Sequence, residues 1–364
     1  MHKNQTIAFV NSNIAWGGGE KWHFEMGKRL HEKGYSILFV VHKKSALCTK
    51  IREAGLPHAA VAINNLSFVN PVKVRKFSKM FRKNRVYTVI MNLPSDVKVA
   101  GPAAKKARVE KIMYRRGTAL PVNNNRYNRY LFKKIITHII TNSHATKNLL
   151  LQKNASLVDR NKFRIIYNGL DFEEFDNRPV NPLYTRQNNE LILGNASRFV
   201  VQKGHHFLVD IAAKLKSHKI PFRILLAGEG KLKNHIMDLA KRKGVSDNML
   251  FTGFITDIKS FMASIDIFLL TSLWEGFGYV IVEAMAGEKP VIAFDISSNP
   301  EIIRDGENGY LIPFRDTDTF VQKIMTLDNN PQLRERMARE ARRTAVENFD
   351  MDYMVRQVEE LIAE

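Results

Sequence analysis

Short apolar runs recur along the 364-residue chain, and most are followed by a stretch in which apolar residues return every three or four positions. In the first half such runs predict strands near 6–12, 36–41, 87–91, 111–114 and 137–141. In the second half they predict strands near 190–197, 222–227, 249–252, 266–271, 290–294 and 309–312. The helical periodicity falls on 20–33, 205–217, 231–243 and 279–287, with a last helix over 351–363 capped by Asp350. Alternation of this kind argues for parallel sheets covered by helices on both faces. The rhythm pauses over 167–190, which is polar and holds Pro179 and Pro182. The fold class is therefore α/β, with two Rossmann-like doubly wound domains facing a cleft. Residues 1–170 form the first domain, 171–189 a linker and 190–349 the second domain, with a C-terminal helix 350–364 packing back on the first. In such sheets ligands bind outside the carboxyl ends of the strands, so the chemistry belongs in the loops that follow them.

Composition changes this picture in one respect. The net charge of +20 is not spread evenly. Residues 1–175 carry 32 Lys and Arg against 10 Asp and Glu, and residues 176–364 carry 24 against 26. The excess of positive charge is confined to the first half, which points to a polyanionic partner there: nucleic acid, an acidic membrane surface or an anionic acceptor. No apolar run approaches the ~18 residues of a membrane span. The start, MHKNQT, leads straight into a strand, so no signal peptide is expected, and Cys48 as the sole cysteine excludes an intrachain disulfide. A cytoplasmic protein fits these features.

Three loops carry candidate chemistry. The first, NIAWGGGEKW at 13–22, sets three glycines between a strand and a helix. It lacks the closing Lys-Ser/Thr of a P-loop and the spacing of the dinucleotide fingerprint. Its open backbone N–H groups suit an anion or sugar, and a flexible turn explains them equally well. The second, ASRFVVQKGHH at 196–206, projects Arg198 and Lys203, two cations able to clamp a diphosphate without a metal. The third, WEGFGYVIVEAMA at 274–286, holds Glu275 in a turn with Gly276 and Gly278, and Glu283 about one turn into the helix that starts near Tyr279. One carboxylate can meet a group above the helix N-terminus, and the other can accept hydrogen bonds from vicinal hydroxyls such as those of a ribose.

In these motifs the chain resembles the GT-B fold glycosyltransferases of family 4, which use nucleotide-sugar donors. The resemblance covers nearly the whole chain. GGGEKW is similar to the family's first loop, YNGLDFEEF at 167–175 to its linker entry, SRFVVQKG at 197–204 to its Arg-x4-Lys-Gly segment, and EGFGYVIVEAMA at 275–286 to its Glu-x7-Glu segment. AGEG at 227–230, FTGF at 251–254 and PEIIRDGENGYL at 300–311 add three ordered matches. The resemblance implies that Arg198 and Lys203 bind the donor diphosphate and that Glu275 contacts the donor sugar. Glu283 would hold the ribose hydroxyls, and Phe277 and Gly278 would present backbone beside Gly276 and Tyr279. Gly228, Gly230, Gly253, Phe254 and Ile255 would line the nucleotide, and Gly18 and Gly19 would face the phosphates from the first domain. It also implies retention of anomeric configuration, no metal cofactor, and a UDP-sugar donor with a GDP-sugar as the alternative. Two departures stand out. Arg116, in MYRRGTALP, occupies the place of a family histidine near the sugar, where it would bind phosphate or an acidic acceptor. Ser297, Ser298 and Asn299 replace the usual Gly-Gly before Pro-Glu.

The Asp-x-Asp pairs at 316–318 and 350–352 each precede a helix, where an aspartate cap explains them better than a metal. His205 and His206 are adjacent and so face different ways, and His23 and His144 are expected to be partly buried. The stretches 71–86 and 125–135 are basic and amphipathic or aromatic. A packed helix with a solvated charged face is one reading, and a surface drawn to anionic lipid is the other. The resulting expectation is a metal-independent hexosyltransferase acting on a glycan or lipid-linked acceptor of the cell envelope, such as lipopolysaccharide. It would be cytoplasmic and peripheral at the inner membrane face through residues 73–85, with no nucleic acid partner. The alternatives are a nucleotide-sugar epimerase of the same fold and a non-catalytic polyanion binder.

Overall fold

The computed structural model describes residues 5–64, 67–118, 120–152, 156–187 and 189–364. The chain divides into two compact units, Met1–Gly169 with Asp352–Glu364, and Leu170–Met351.

In the first unit the strands are β1 (Thr6–Asn11), β2 (Ser36–His42), β3 (His58–Val61), β4 (Val86–Met91), β5 (Lys111–Arg116), β6 (His138–Thr141) and β7 (Phe163–Ile165). They form one parallel sheet in the order β3-β2-β1-β4-β5-β6-β7. The helices are α1 (Gly18–Glu32), α2 (Ala46–Glu53), α3 (Pro71–Lys83), α4 (Pro94–Ala107), α5 (Arg126–Tyr130) and α6 (His144–Gln152). A π turn over Leu131–Ile135 continues α5. β1 is buried at every position, as a central parallel strand covered on both faces requires. β3 and β7 lie at the two edges of the sheet. They are short and partly exposed, so they lack the apolar run that marks the inner strands.

In the second unit α7 (Phe172–Asn177) precedes the strands β8 (Leu191–Ala196), β9 (Phe222–Ala227), β10 (Met249–Gly253), β11 (Ile267–Leu270), β12 (Val291–Phe294) and β13 (Gly309–Ile312). These pair in parallel in the order β10-β9-β8-β11-β12-β13. Helices α8 (His205–Ser217), α9 (Lys233–Arg242), α10 (Ile258–Ala263), α11 (Tyr279–Ala286), α12 (Thr317–Asp328) and α13 (Pro331–Asn348) cover the faces. Both sheets are doubly wound and Rossmann-like. Asp316 caps α12, its carboxylate accepting from the N–H groups of Asp318 and Thr319. The described part of 171–189 is anchored to the second unit. It opens with α7, and the N–H groups of Asn181 and Leu183 donate to Ser260 Oγ and Ser264 Oγ at 2.8 and 2.7 Å.

The last helix, α14 (Met351–Ala363), belongs from Asp352 onward to the first unit. Ion pairs Arg29–Asp352, Lys33–Glu359 and Arg164–Glu364 hold it there, and Lys111 Nζ donates to the carbonyl of Leu361 at 2.9 Å. The last contact satisfies an orphan carbonyl of the helix C-terminus with a cation.

Strand order reverses between β1 and β4 in one sheet and between β8 and β11 in the other. The loops leaving those strands therefore splay to opposite faces and leave a crevice at the carboxyl edge. Gly17–Gly19 and Asn92 follow β1 and β4, and Arg198–Lys203 and Ser272–Glu275 follow β8 and β11.

Candidate functional site

In the second unit two loops are stitched together at the reversal point. Gly204 has φ +60, and a Cβ there would lie 2.1 Å from the carbonyl oxygen of Thr271. Only glycine lets the loop after β8 lie this close to the end of β11. Leu273 N donates to Gln202 O at 2.7 Å, and Gln202 Nε2 donates to Trp274 O at 2.9 Å. This stitching carries Lys203 Nζ to 2.5 Å from Glu275 Oε1. Ser272 Oγ donates to the same oxygen at 2.6 Å. The side chains of Lys203 and Glu275 are only 14% and 6% exposed, so the pair is little screened by water. Arg198 is exposed, and among the described residues its guanidinium has no hydrogen bond or ion pair. The structure thus joins Lys203 to Glu275, with a cation open to solvent on the same loop as Lys203.

The loops after β9 and β10 form the adjoining wall. Gly228 and Gly230 have φ +138 and +158, and a Cβ on them would meet the carbonyl oxygens of Ser197 and Phe199 at 2.0 and 2.4 Å. Phe199 N donates to Glu229 O, and Gly228 N donates to Gly253 O at 2.7 Å. These glycines allow three strand ends to touch through backbone. Phe254 stands 69% exposed at the end of β10, beside the half-buried Ile255. Gly276 is half-buried, and Gly278, at φ +78, caps α11. Phe277 is turned inward, edge-on to Phe349 at 5.5 Å and to Tyr279 at 6.1 Å. Its side chain therefore belongs to the core. Glu283 is half-buried on α11.

Ser297, at φ +49, takes the left-handed conformation for which a glycine would be at ease. Ser298 and Asn299 after it are fully buried. Asn299 Nδ2 donates to Phe294 O at 2.9 Å, while its Oδ1 and Ser298 Oγ find no partner among the described residues. His205 stacks on Phe199 at 4.2 Å, and its Nε2 meets Ser197 Oγ at 3.1 Å. Burial, then the charge of Lys203, lowers its pKa to about 4, so the ring is neutral and structural.

In the first unit the glycine run opens α1. Gly17 is the N-cap, and a Cβ on Gly19 would lie 2.7 Å from Asn92 Nδ2. Glu20, 3% exposed, accepts from Asn11 Nδ2 at 3.2 Å and Asn92 Nδ2 at 3.3 Å. Arg115 donates to Asn168 Oδ1 at 2.7 Å and to Asn92 Oδ1 at 3.4 Å, and lies 5.1 Å from the Trp22 ring centroid. Gly19 is thus small because a side-chain amide must fit against the helix start. Gly18 is exposed. Asp96, fully buried at the start of α4, accepts from Ser12 Oγ at 2.5 Å and from Leu93 N at 2.9 Å. Burial outweighs these bonds, and its pKa rises to about 7.

Three positions have surroundings that the sequence reading did not anticipate. Arg116 is 4% exposed, and its guanidinium donates to Tyr114 Oη and to the carbonyl of Leu120. Side chains alternate along a strand, so Arg115, and not Arg116, shares the Trp22 and Asn92 face. Arg115, 2% exposed, braces the start of α1 through Asn92 and Trp22. His144 is exposed at the start of α6, whereas His23 is fully buried and held neutral by desolvation and by the charge of Arg115. Lys73, read as part of a basic face, spends its ammonium on Ala62 O and Ser67 Oγ.

Residues 16–174 match the model described as Glycosyltransferase Family 4, and residues 182–344 match that of the group 1 glycosyl transferases. The chain belongs to the family 4 glycosyltransferases. It is 35% identical to the putative glycosyltransferase EpsD of Bacillus subtilis (strain 168) over 187 residues, 49% of this chain and 48% of EpsD. It is 27% identical to the capsular polysaccharide biosynthesis glycosyltransferase CapM of Staphylococcus aureus over 245 residues, 64% of each chain. The chain thus spans about half the length of EpsD. Among solved structures, HepE of Anabaena in complex with UDP and glucose superposes with a TM-score of 0.83. That match is 22% identical and covers 98% of this chain and 99% of HepE, so it establishes the GT-B fold.

Proposed function

We propose that this family 4 glycosyltransferase moves a hexose from a nucleoside-diphosphate sugar to a glycan or lipid-linked acceptor of the cell envelope, with retention and without a metal. The buried Lys203–Glu275 pair, with the exposed Arg198 on the same loop as Lys203, is the observation that carries the reading. Two cations at one strand end balance the charge of a leaving diphosphate, the task a divalent metal performs elsewhere. In the free protein Glu275 holds Lys203 in place. A bound diphosphate competes for that ammonium, and Glu275, still held by Ser272, is released to accept a hydrogen bond from a sugar hydroxyl. Glu283 on α11 serves the ribose hydroxyls, and the N–H groups that open α11 after Gly278 face phosphate oxygen. The exposed Phe254 offers a face to the base. A donor phosphate oxygen takes the acceptor proton, so no side-chain base is required. HepE, crystallised with UDP and glucose, and CapM, named for capsular polysaccharide, support the donor and pathway classes. The acceptor is assigned to the first unit because the excess of positive charge lies there.

A thermal-shift screen against UDP, GDP, ADP and CMP with EDTA present tests the donor, since a ligand of the native state raises its apparent stability. A shift with one diphosphate is expected. No shift with any of them, together with no transfer from the corresponding sugars, overturns the reading.

A further inference from the structure

The two basic stretches of the first unit, 71–86 and 125–135, are separated by 38 residues in sequence. The fold makes them one surface. α3, α4 and α5 with its π turn form a single helical layer over one face of the sheet. Arg82 reaches from α3 to the carbonyl of Lys106 in α4, and Lys105 reaches from α4 to the carbonyl of Lys134 in the π turn at 3.0 Å. Along the same layer Phe68 stacks on Tyr127 at 5.0 Å, and Tyr127 on Tyr130 at 6.4 Å. Lys98 lies over the Phe68 ring and Lys105 over the Tyr130 ring. Beside this ladder Val69 and Val72 stand 65% and 58% exposed, and Tyr130 is 45% exposed.

Around these apolar groups the outer face is cationic. Arg75, Lys76, Lys79, Arg82 and Lys83 on α3 are exposed, as are Lys105, Lys106, Arg126, Arg129, Lys133 and Lys134. Residues 67–135 hold 18 Lys and Arg and two acidic residues, of which Asp96 is fully buried. A solvated helix face needs neither such one-sided charge nor two bare valines at its tip.

We propose that this face of the first unit docks on an anionic bilayer, with Val69, Val72 and Tyr130 entering the headgroup boundary and the surrounding Lys and Arg meeting lipid phosphates. Aliphatic side chains favour a bilayer over nucleic acid, which has no apolar phase to receive them. The aromatic rings are already stacked on one another, so their faces are not free for bases. The inference goes beyond the transfer reaction and does not depend on it.

Flotation with phosphatidylcholine vesicles, with and without phosphatidylglycerol, tests it at low and high salt on the full chain. Binding to the anionic vesicles alone is expected, weakening as salt rises. Val69→Asp with Val72→Asp should lower that binding at least tenfold, as should Lys76→Glu with Lys79→Glu. All four positions are exposed, and an unchanged circular dichroism melt checks the fold. Salt weakens both partners, so the valines distinguish them. Variants that bind vesicles as the parent does, or a parent that ignores anionic vesicles at low salt, overturn the proposal. Tighter binding to duplex DNA or RNA, indifferent to the valine changes, overturns it in favour of nucleic acid. A nucleotide-induced thermal shift in the same preparations reads the donor site separately, so failure of one does not mimic failure of the other.

Discussion

Lys203 and Glu275 are 72 residues apart in the chain, yet their charged ends meet at 2.5 Å. The pair exists because β8 and β11 are neighbours in the sheet and their following loops are hydrogen-bonded to each other. Removing one partner leaves a nearly buried charge. Lys203→Ala strands Glu275 with Ser272 alone and should cost about 3–5 kcal/mol of stability. Glu275→Gln should cost less, because Lys203 keeps more contact with water. The double variant Lys203→Met with Glu275→Gln should recover most of the loss while remaining inactive. Urea unfolding and turnover on the four proteins make the comparison. Normal turnover in a folded Lys203→Ala variant would remove Lys203 from the diphosphate site.

Gly228 and Gly244 both have positive φ but differ in surroundings. A Cβ at Gly228 meets a backbone carbonyl, whereas nothing lies within 4 Å of one at Gly244. Gly244→Ala should therefore cost only the conformational term, about 1–2 kcal/mol. Gly228→Ala must also push the Ser197 backbone away and should exceed about 3 kcal/mol. Equal losses in denaturant unfolding would mean that the strand-end contact carries no strain.

At the start of α1 the tight neighbour is a side chain. Gly19→Ala should cost about 1–3 kcal/mol by displacing Asn92 from Glu20. Shortening the neighbour with Asn92→Ser gives the new methyl room, so the two changes together should cost less than their sum by at least about 0.5 kcal/mol. Strict additivity in a double-mutant cycle would show that the contact does not govern this turn.

Two buried groups tie stability to pH with opposite signs. His205 titrates near 4 in the folded protein and near 6.5 when unfolded, so its contribution is complete above pH 6.5 and is lost as pH falls towards 4. A His205→Leu variant should lose stability less steeply across that window. Asp96 titrates near 7 when folded and near 3.8 when unfolded. Its contribution is complete below 3.8 and is lost as pH rises through 7. The stability of the parent relative to Asp96→Asn should therefore fall between pH 4 and 8, and a flat difference in melting profiles would contradict the burial argument.

The repeating pattern of the chain determined the doubly wound architecture and the inner strands, because a parallel strand covered on both faces must be apolar throughout, and that requirement is local. β9 and β13 ran where the pattern placed them, at 222–227 and 309–312. The same pattern put Arg198, Lys203 and Glu275 on loops after strands. It was silent on β3 and β7, whose edge positions leave them without an apolar run. It did not separate Arg115 from Arg116, because two adjacent arginines at a strand end look alike until the packing of α1 decides which one meets Trp22 and Asn92. That Lys203 meets Glu275, that Gly19 is small on account of Asn92, and that two distant basic stretches share one helical layer were decided only by tertiary structure. Each depends on which strands and helices become neighbours, and strand order is set by long-range packing that no local run of residues encodes.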